Sequence, residues 1–301
     1  MKKRFSGSNT EAASLQGLQS WCRARSNYST KNKIKMNKLF SFLRSVVRGE
    51  INYKMLKYHF MHRVIGQHDT IVDDDFDWDH YTLHYKGELE VGAKKRTTVL
   101  SSDDYKFENR KLVQKGSRLP LHNNAQLLYE TILLLSPESV LEIGCGGGDN
   151  LRNLNTLNSS FELFGVDISN SQLELFKQRH PELPCSTAIA DAALPGFCHK
   201  QVDLIYTQAV IMHIGEKDGR HIRAFENAIK TSRQYLVLIE NWEKHDFFGD
   251  VNDIFAKGVE GWDDYFLYYR ESEISTVTKV MIISKVALDF PPLTDNGQLI
   301  S

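Results

Sequence analysis

Three glycines at alternating positions, Gly144, Gly146 and Gly148, follow the short apolar run Ser139-Val-Leu-Glu-Ile143 and precede a polar, helix-patterned segment that opens at Asp149. Glycines spaced this way let the backbone turn tightly and leave bare main chain for a ligand to lie against, in the place where nucleotide-binding folds hold their cofactors. Glu142 stands two residues before the first of them, Cys145 lies within the loop, and Asn150 follows it. A second apolar run ends at Asp167, where a carboxylate can accept both hydroxyls of a ribose through charge-assisted hydrogen bonds. A third run ends at Ala190-Asp191-Ala192. Acids at successive run ends, with glycines after the first, are the chemistry of a nucleotide-type cofactor.

Groups able to move protons follow downstream. His213 lies five residues beyond Gln208, and an imidazole near its ordinary pKa suits proton removal at cellular pH. The cluster Glu240-Asn-Trp-Glu-Lys-His245-Asp246 leaves the end of a fifth apolar run, and the ends of such strands are where open α/β sheets bind ligands. Glu240 and His245 are therefore candidates for substrate contact or general base, beside His213. No metal is expected: Cys22, Cys145, Cys185 and Cys198 form no C-x-x-C pair, and Asp203, Glu240 and Asp246, which could in principle hold Mg²⁺, are read as solvated surface acids because convergence is not legible in sequence.

The elements that must hold these groups become regular after about residue 121. Helical spacing covers 124–135 and stops before Pro137; strand-like runs at 139–143, 161–166, 185–190, 202–206 and 234–240 alternate with helical patterns at 149–157, 170–179 and 217–230. Such alternation implies βαβ units with right-handed crossovers. The expected fold is an α/β, Rossmann-like, seven-stranded sheet, mostly parallel and flanked by helices. Runs at 265–270 and 276–284 with no helix between them predict an antiparallel hairpin at one sheet edge. The aromatic group from Trp242 to Tyr269 reads either as packing of an added cap or as a stacking platform.

Composition is that of an ordinary globular protein, 41% apolar and 25% charged, with a net charge of -1 that offers no field to gather polyanions, so nucleic acid is not an expected partner. Residues 1–35 are polar and basic and are expected to be a disordered tail, with Met36 as a second candidate start. Residues 36–115 form an N-terminal helical or lid extension, 116–290 the main domain and 291–301 a tail. Within the extension, Leu39, Phe42, Leu43, Val46 and Val47 make one apolar face of a basic helix. That helix either packs on the domain or contacts an anionic membrane surface. The acidic and aromatic stretch from Asp69 to Tyr85 reads as a solvated loop or a lid rim. No secretory signal or membrane span is visible, so a cytoplasmic location is expected.

The arrangement resembles the class I S-adenosylmethionine-dependent methyltransferases over about residues 120 to 285. Their E/D-x-G-x-G-x-G motif is met by Glu142, Gly144, Gly146 and Gly148; the second-strand acid by Val166-Asp167-Ile168-Ser169; the third-strand Asp by Asp191; and the fourth-strand segment by Val202 to His213. The resemblance implies that Gly144 to Gly148, Cys145 included, wrap the methionine part of S-adenosylmethionine, and that Asp167 holds its ribose. It also implies that Ile168 flanks the adenine, Asp191 and Ala192 read the adenine edge, and Gln208 lines the cavity beneath the methyl group, S-adenosylhomocysteine being the product. Asn150 either caps the next helix or faces the cofactor. The N/D-P-P-Y/F motif of amino methyltransferases acting on adenine or glutamine is absent, Thr207-Gln-Ala-Val standing in its place, so the expected reaction is O-methylation of a hydroxyl on a small molecule or saccharide. More loosely, the fourth- and fifth-strand segments resemble bacterial methyltransferases of saccharide and secondary-metabolite pathways. A nicotinamide-dependent oxidoreductase fits less well, because its loop spacing is G-x-G-x-x-G and the Tyr53/Lys57 pair precedes the loop. A cofactor-binding partner or regulatory subunit without catalysis is the alternative outside enzymes.

Overall fold

The computed structural model describes residues 92–290, apart from 117, 199, 216, 243, 244, 273 and 274, together with Trp78, Tyr81, Thr82, Gly87 and Leu89. The chain divides into two compact units, Met1–Ile71 and Val72–Ser301, and every described residue belongs to the second. The expected basic tail, the amphipathic helix from Leu39 and the last eleven residues lie outside the described residues.

Seven strands form the main sheet: β3 (Ser139–Ile143), β4 (Glu162–Asp167), β5 (Cys185–Ile189), β6 (Val202–Gln208), β7 (Ser232–Asn241), β8 (Phe266–Ser272) and β9 (Ser275–Ser284). Their order across the sheet is β5-β4-β3-β6-β7-β9-β8, with parallel pairing from β5 to β7 and antiparallel pairing of β9 with β7 and β8. The expected antiparallel hairpin at one edge is present. Strands β3 and β6 are buried along most of their length, as continuous apolar runs are when helices cover both faces of a parallel sheet. Side chains alternate between those faces. Val140, Leu204 and Tyr206 join one core with helices α1 (Asn123–Leu135), α2 (Asp149–Leu157) and α3 (Asn170–Arg179). Leu141, Ile143 and Ile205 join the other with α4 (Arg220–Thr231) and α5 (Phe247–Ala256).

Two expectations are corrected. Residues 105–114 are not helical: β1 (Tyr105–Glu108) and β2 (Lys111–Gln114) form a hairpin turning through Asn109 and Arg110, both at positive φ. Its Tyr105 and Leu112 pack into the α1 core, Leu112 N–H donates to Glu130 Oε1 at 2.9 Å, and Thr97 bridges Leu121. Residues 97–121 therefore belong to the same core as the sheet, so no domain boundary falls at 115/116. The helix expected from 217 breaks at Asp218 and Gly219, both left-handed, and α4 starts at Arg220. Of the two readings of the aromatic region, packing holds for Phe247, Phe255, Trp262 and Tyr269, which are buried in the second core around α5.

Candidate functional site

Strands β3, β4 and β5 run outward in chain order to one edge, after which β6 returns to the other side of β3. That reversal makes a crevice at the C-terminal ends of β3 and β6, the position where open α/β sheets bind ligands. Gly144, Gly146 and Gly148 line it with φ of 73, 50 and 81°, in the left-handed region where only glycine is at ease. Two of them also leave no room for a side chain. A Cβ on Gly144 would overlap the Val210 side chain, and one on Gly148 would overlap the Phe176 ring of α3. Gly144 N–H and Cys145 N–H both donate to Val166 O, at 2.8 and 3.0 Å, folding the loop over the end of β4.

Beneath this loop lies a buried polar chain. Asn150 donates from Nδ2 to Glu142 Oε1 at 2.8 Å and to Gln208 Oε1 at 3.2 Å, while its Oδ1 accepts from the Tyr129 hydroxyl at 2.8 Å. Tyr129 accepts in turn from Asn153 at 2.9 Å, and Asn153 holds the backbone of the preceding segment through Thr98 O and Leu100 N–H. Of the two roles open to Asn150, helix capping is thus excluded: α2 starts at Gly148 without a side-chain cap. Asp149 pairs instead with Arg179 and His180. Burial pushes the Glu142 carboxyl up to about 8, with the Asn150 hydrogen bond and the nearby Tyr206 pulling the other way. A neutral Glu142 near pH 7 suits a group with 2% of its surface exposed and with Oε2 buried without a hydrogen bond.

The Asp167 carboxylate shapes the next turn, accepting Gly146 N–H on one oxygen and Ser169 N–H on the other, each at 2.8 Å. Ile168 beside it is 52% exposed, an apolar side chain left bare where a flat ring could lie. Asp191 accepts Ala193 N–H at 2.9 Å and is bound by Arg220 at 2.7 Å, a partner that sequence gave no reason to expect. Ala192 is buried. Cys145 is also buried, its sulfur close against Gly165, and burial pushes its thiol far up, so its part in the loop is main chain and packing.

Past Gln208 the chain reverses through Ala209, at φ 55°, into a tight turn at Ile211–His213. Glu240 is turned inward. It is fully buried, and its carboxylate accepts from Thr207 Oγ1 at 2.7 Å, from the N–H groups of Val210 and Ile211 at 3.1 and 3.3 Å, and from that of Met212 at 3.2 Å. His245 is likewise drawn inward. It is 5% exposed, its Nε2 lies 3.2 Å from Ile211 O and 3.1 Å from Ile214 O, and its ring stacks on His221 at 4.6 Å. Both side chains serve the turn's backbone polar groups, which burial would otherwise leave unpaired. His213 stays at the rim. Its ring meets Trp78 edge to face at 5.5 Å, and Trp78 meets Tyr81 at 5.8 Å. Thr82, one residue on, accepts from Ser171 Oγ at 2.8 Å at the start of α3. Trp78 and Thr82 thus meet His213 and the start of α3 respectively.

Among the described residues no helix is long and apolar enough to cross a membrane, and no cluster of His, Cys, Asp or Glu forms a metal site.

Residues 140–232 match the family model described as a methyltransferase domain. No curated protein matches the chain. Among solved structures, the amino pentose methyltransferase CalS10 of Micromonospora echinaspora is 11% identical, with 67% of this chain and 97% of that one covered and a TM-score of 0.47. A TehB-like methyltransferase from Corynebacterium glutamicum is 15% identical, with 68% and 98% covered and a TM-score of 0.45. The bacterial CtHen1 methyltransferase domain is 20% identical, with 55% and 100% covered and a TM-score of 0.42. Likeness at this level carries no conclusion about substrate.

Proposed function

We propose that this chain, an S-adenosylmethionine-dependent methyltransferase whose domain includes residues 140–232, methylates a hydroxyl of a small molecule or saccharide with His213 as general base. The residues present fit the cofactor: the positive-φ glycine cradle admits no side chain, Asp167 presents a carboxylate at the end of β4, and Ile168 leaves an apolar surface bare beside it. Gly144 to Gly148 would hold the methionine part, Asp167 the ribose, and Ile168, Asp191 and Ala192 the adenine, with Gln208 under the methyl group. When bound, S-adenosylmethionine supplies an electrophilic methyl group on a sulfonium.

The observation that carries the hydroxyl reading is His213 at the rim of the crevice, against Trp78 and five residues from Gln208. An imidazole there can take the proton of an acceptor hydroxyl as the oxygen becomes nucleophilic, and the protein's remaining task is to align that oxygen in line. Trp78 and Tyr81 supply aromatic faces on which a sugar or flat ring can stack.

Titration calorimetry with S-adenosylhomocysteine, paired with product mass spectrometry on candidate acceptors, tests the reading. Asp167→Ala abolishes binding, and micromolar affinity retained by that variant refutes the cofactor assignment. His213→Ala keeps binding and lowers turnover by roughly 10²-fold or more. Unchanged turnover removes His213 from the base role.

A further inference from the structure

We propose that Glu240 is a positioning residue, whose carboxylate holds the Gln208–His213 segment in the turn, left-handed at Ala209 alone, that seats Val210 against the glycine loop and sets Gln208 beneath the cofactor. The inference rests on the reading of this crevice as a methyl-donor site. Its ground is a convergence that packing alone does not require: one buried carboxylate gathers a threonine hydroxyl and three consecutive backbone N–H groups. Consecutive N–H groups point to one acceptor only where the chain curls around it, and here the curl begins with Ala209 at φ 55°, a conformation unfavourable for any residue with a Cβ. The strained step persists because Ala209 N–H is held by Ile239 O at 2.9 Å on one side and Glu240 grips the next three residues on the other.

The consequence reaches the cofactor loop through Val210, whose methyls occupy the space a Gly144 side chain would need. Were the curl to relax, Val210 would leave Gly144, and Gln208, which accepts from Asn150 at 3.2 Å, would lose its place in the buried chain below. The turn's carbonyls are met separately by His245, so releasing Glu240 frees the donor side of the turn alone.

The test compares wild type, Glu240→Gln, Glu240→Gln with Ala209→Gly, and Thr207→Val. Its readouts are amide hydrogen exchange, S-adenosylhomocysteine affinity by calorimetry, and melting temperature. Glu240→Gln can keep the Oε1 acceptor of Thr207, Val210 and Ile211 but then sets an NH₂ group against the Met212 N–H that Oε2 accepts. Exchange at Met212 should therefore rise at least tenfold while Val237 to Ile239 stay protected, and affinity should fall tenfold or more. Adding Ala209→Gly, which takes φ 55° without strain, should recover threefold or more of that affinity. A Glu240→Gln protein with an exposed Met212 amide and unchanged affinity overturns the proposal, as does loss of affinity that Ala209→Gly fails to recover. Should Glu240→Gln not fold, Thr207→Val, which removes one donor only, decides by the same two readouts. Wild type that binds no S-adenosylhomocysteine refutes the functional reading instead, and the two failures are thereby distinct.

Discussion

The Asn150 amide donates to Glu142 Oε1 at 2.8 Å, across the turn that joins β3 to α2, and it is the one member of the buried chain that touches Glu142, Gln208 and Tyr129 together. Removing a shared partner leaves several polar groups unpaired at once. Asn150→Ala should cost about 1–3 kcal/mol, the penalty for stranding buried polar groups, and should weaken S-adenosylhomocysteine binding. Urea denaturation measures the first effect. A midpoint equal to wild type's would show that water replaces the amide.

Glu142 gives the stability of the domain a distinctive pH dependence. Its carboxyl is raised from 4.5 to about 8, so the folded protein keeps a proton that the unfolded chain has already lost. The stability this contributes is complete below about pH 4.5 and is lost as pH rises toward 8. Glu142→Gln keeps the acceptor for Asn150 and cannot ionise. Relative to wild type it should gain stability on going from pH 5 to pH 8, by an amount on the order of a few kcal/mol. Denaturation midpoints of the two proteins across that range check it; a constant difference means that Glu142 ionises normally.

Glycine positions at similar φ should differ in tolerance according to what surrounds them. Gly148→Ala meets the Phe176 ring and a φ of 81°, whereas Gly196→Ala, at φ 71°, has nothing within 4 Å and bears the backbone strain alone. Gly196→Ala should cost about 1–2 kcal/mol, the left-handed penalty, and Gly148→Ala distinctly more. Equal melting temperatures for the two would mean that α3 shifts freely away from the loop.

The parts of the fold legible in sequence are those governed by local pattern. β3, α2 and α3 begin and end where apolar spacing and the glycine loop placed them, and the Glu142-to-Gly148 motif carried the cofactor reading together with Asp167 and Asp191 at the following strand ends. What stayed hidden depends on pairings distant in the chain. Glu240 and His245 sit in a stretch whose composition invites a catalytic reading, and only the reversal at Ala209 turns both inward. Arg220 reaches Asp191 across 29 residues, and Tyr129 reaches Asn150 across 21, distances at which spacing carries no signal. The β1–β2 hairpin was hidden by the shortness of its strands, four residues each, in which the alternation of Tyr105 and Phe107 with Lys106 and Glu108 is too brief to stand out.

Because strand side chains alternate, Glu142 shares the α1–α3 face with Val140 while Glu240 shares the α4–α5 face with Leu236 and Leu238. The sheet therefore works as a partition between two buried acids. A change at Glu142 is therefore felt first among α1–α3 and a change at Glu240 first among α4 and α5, yet both arrive at the same crevice, Glu142 through Asn150 and Glu240 through Val210.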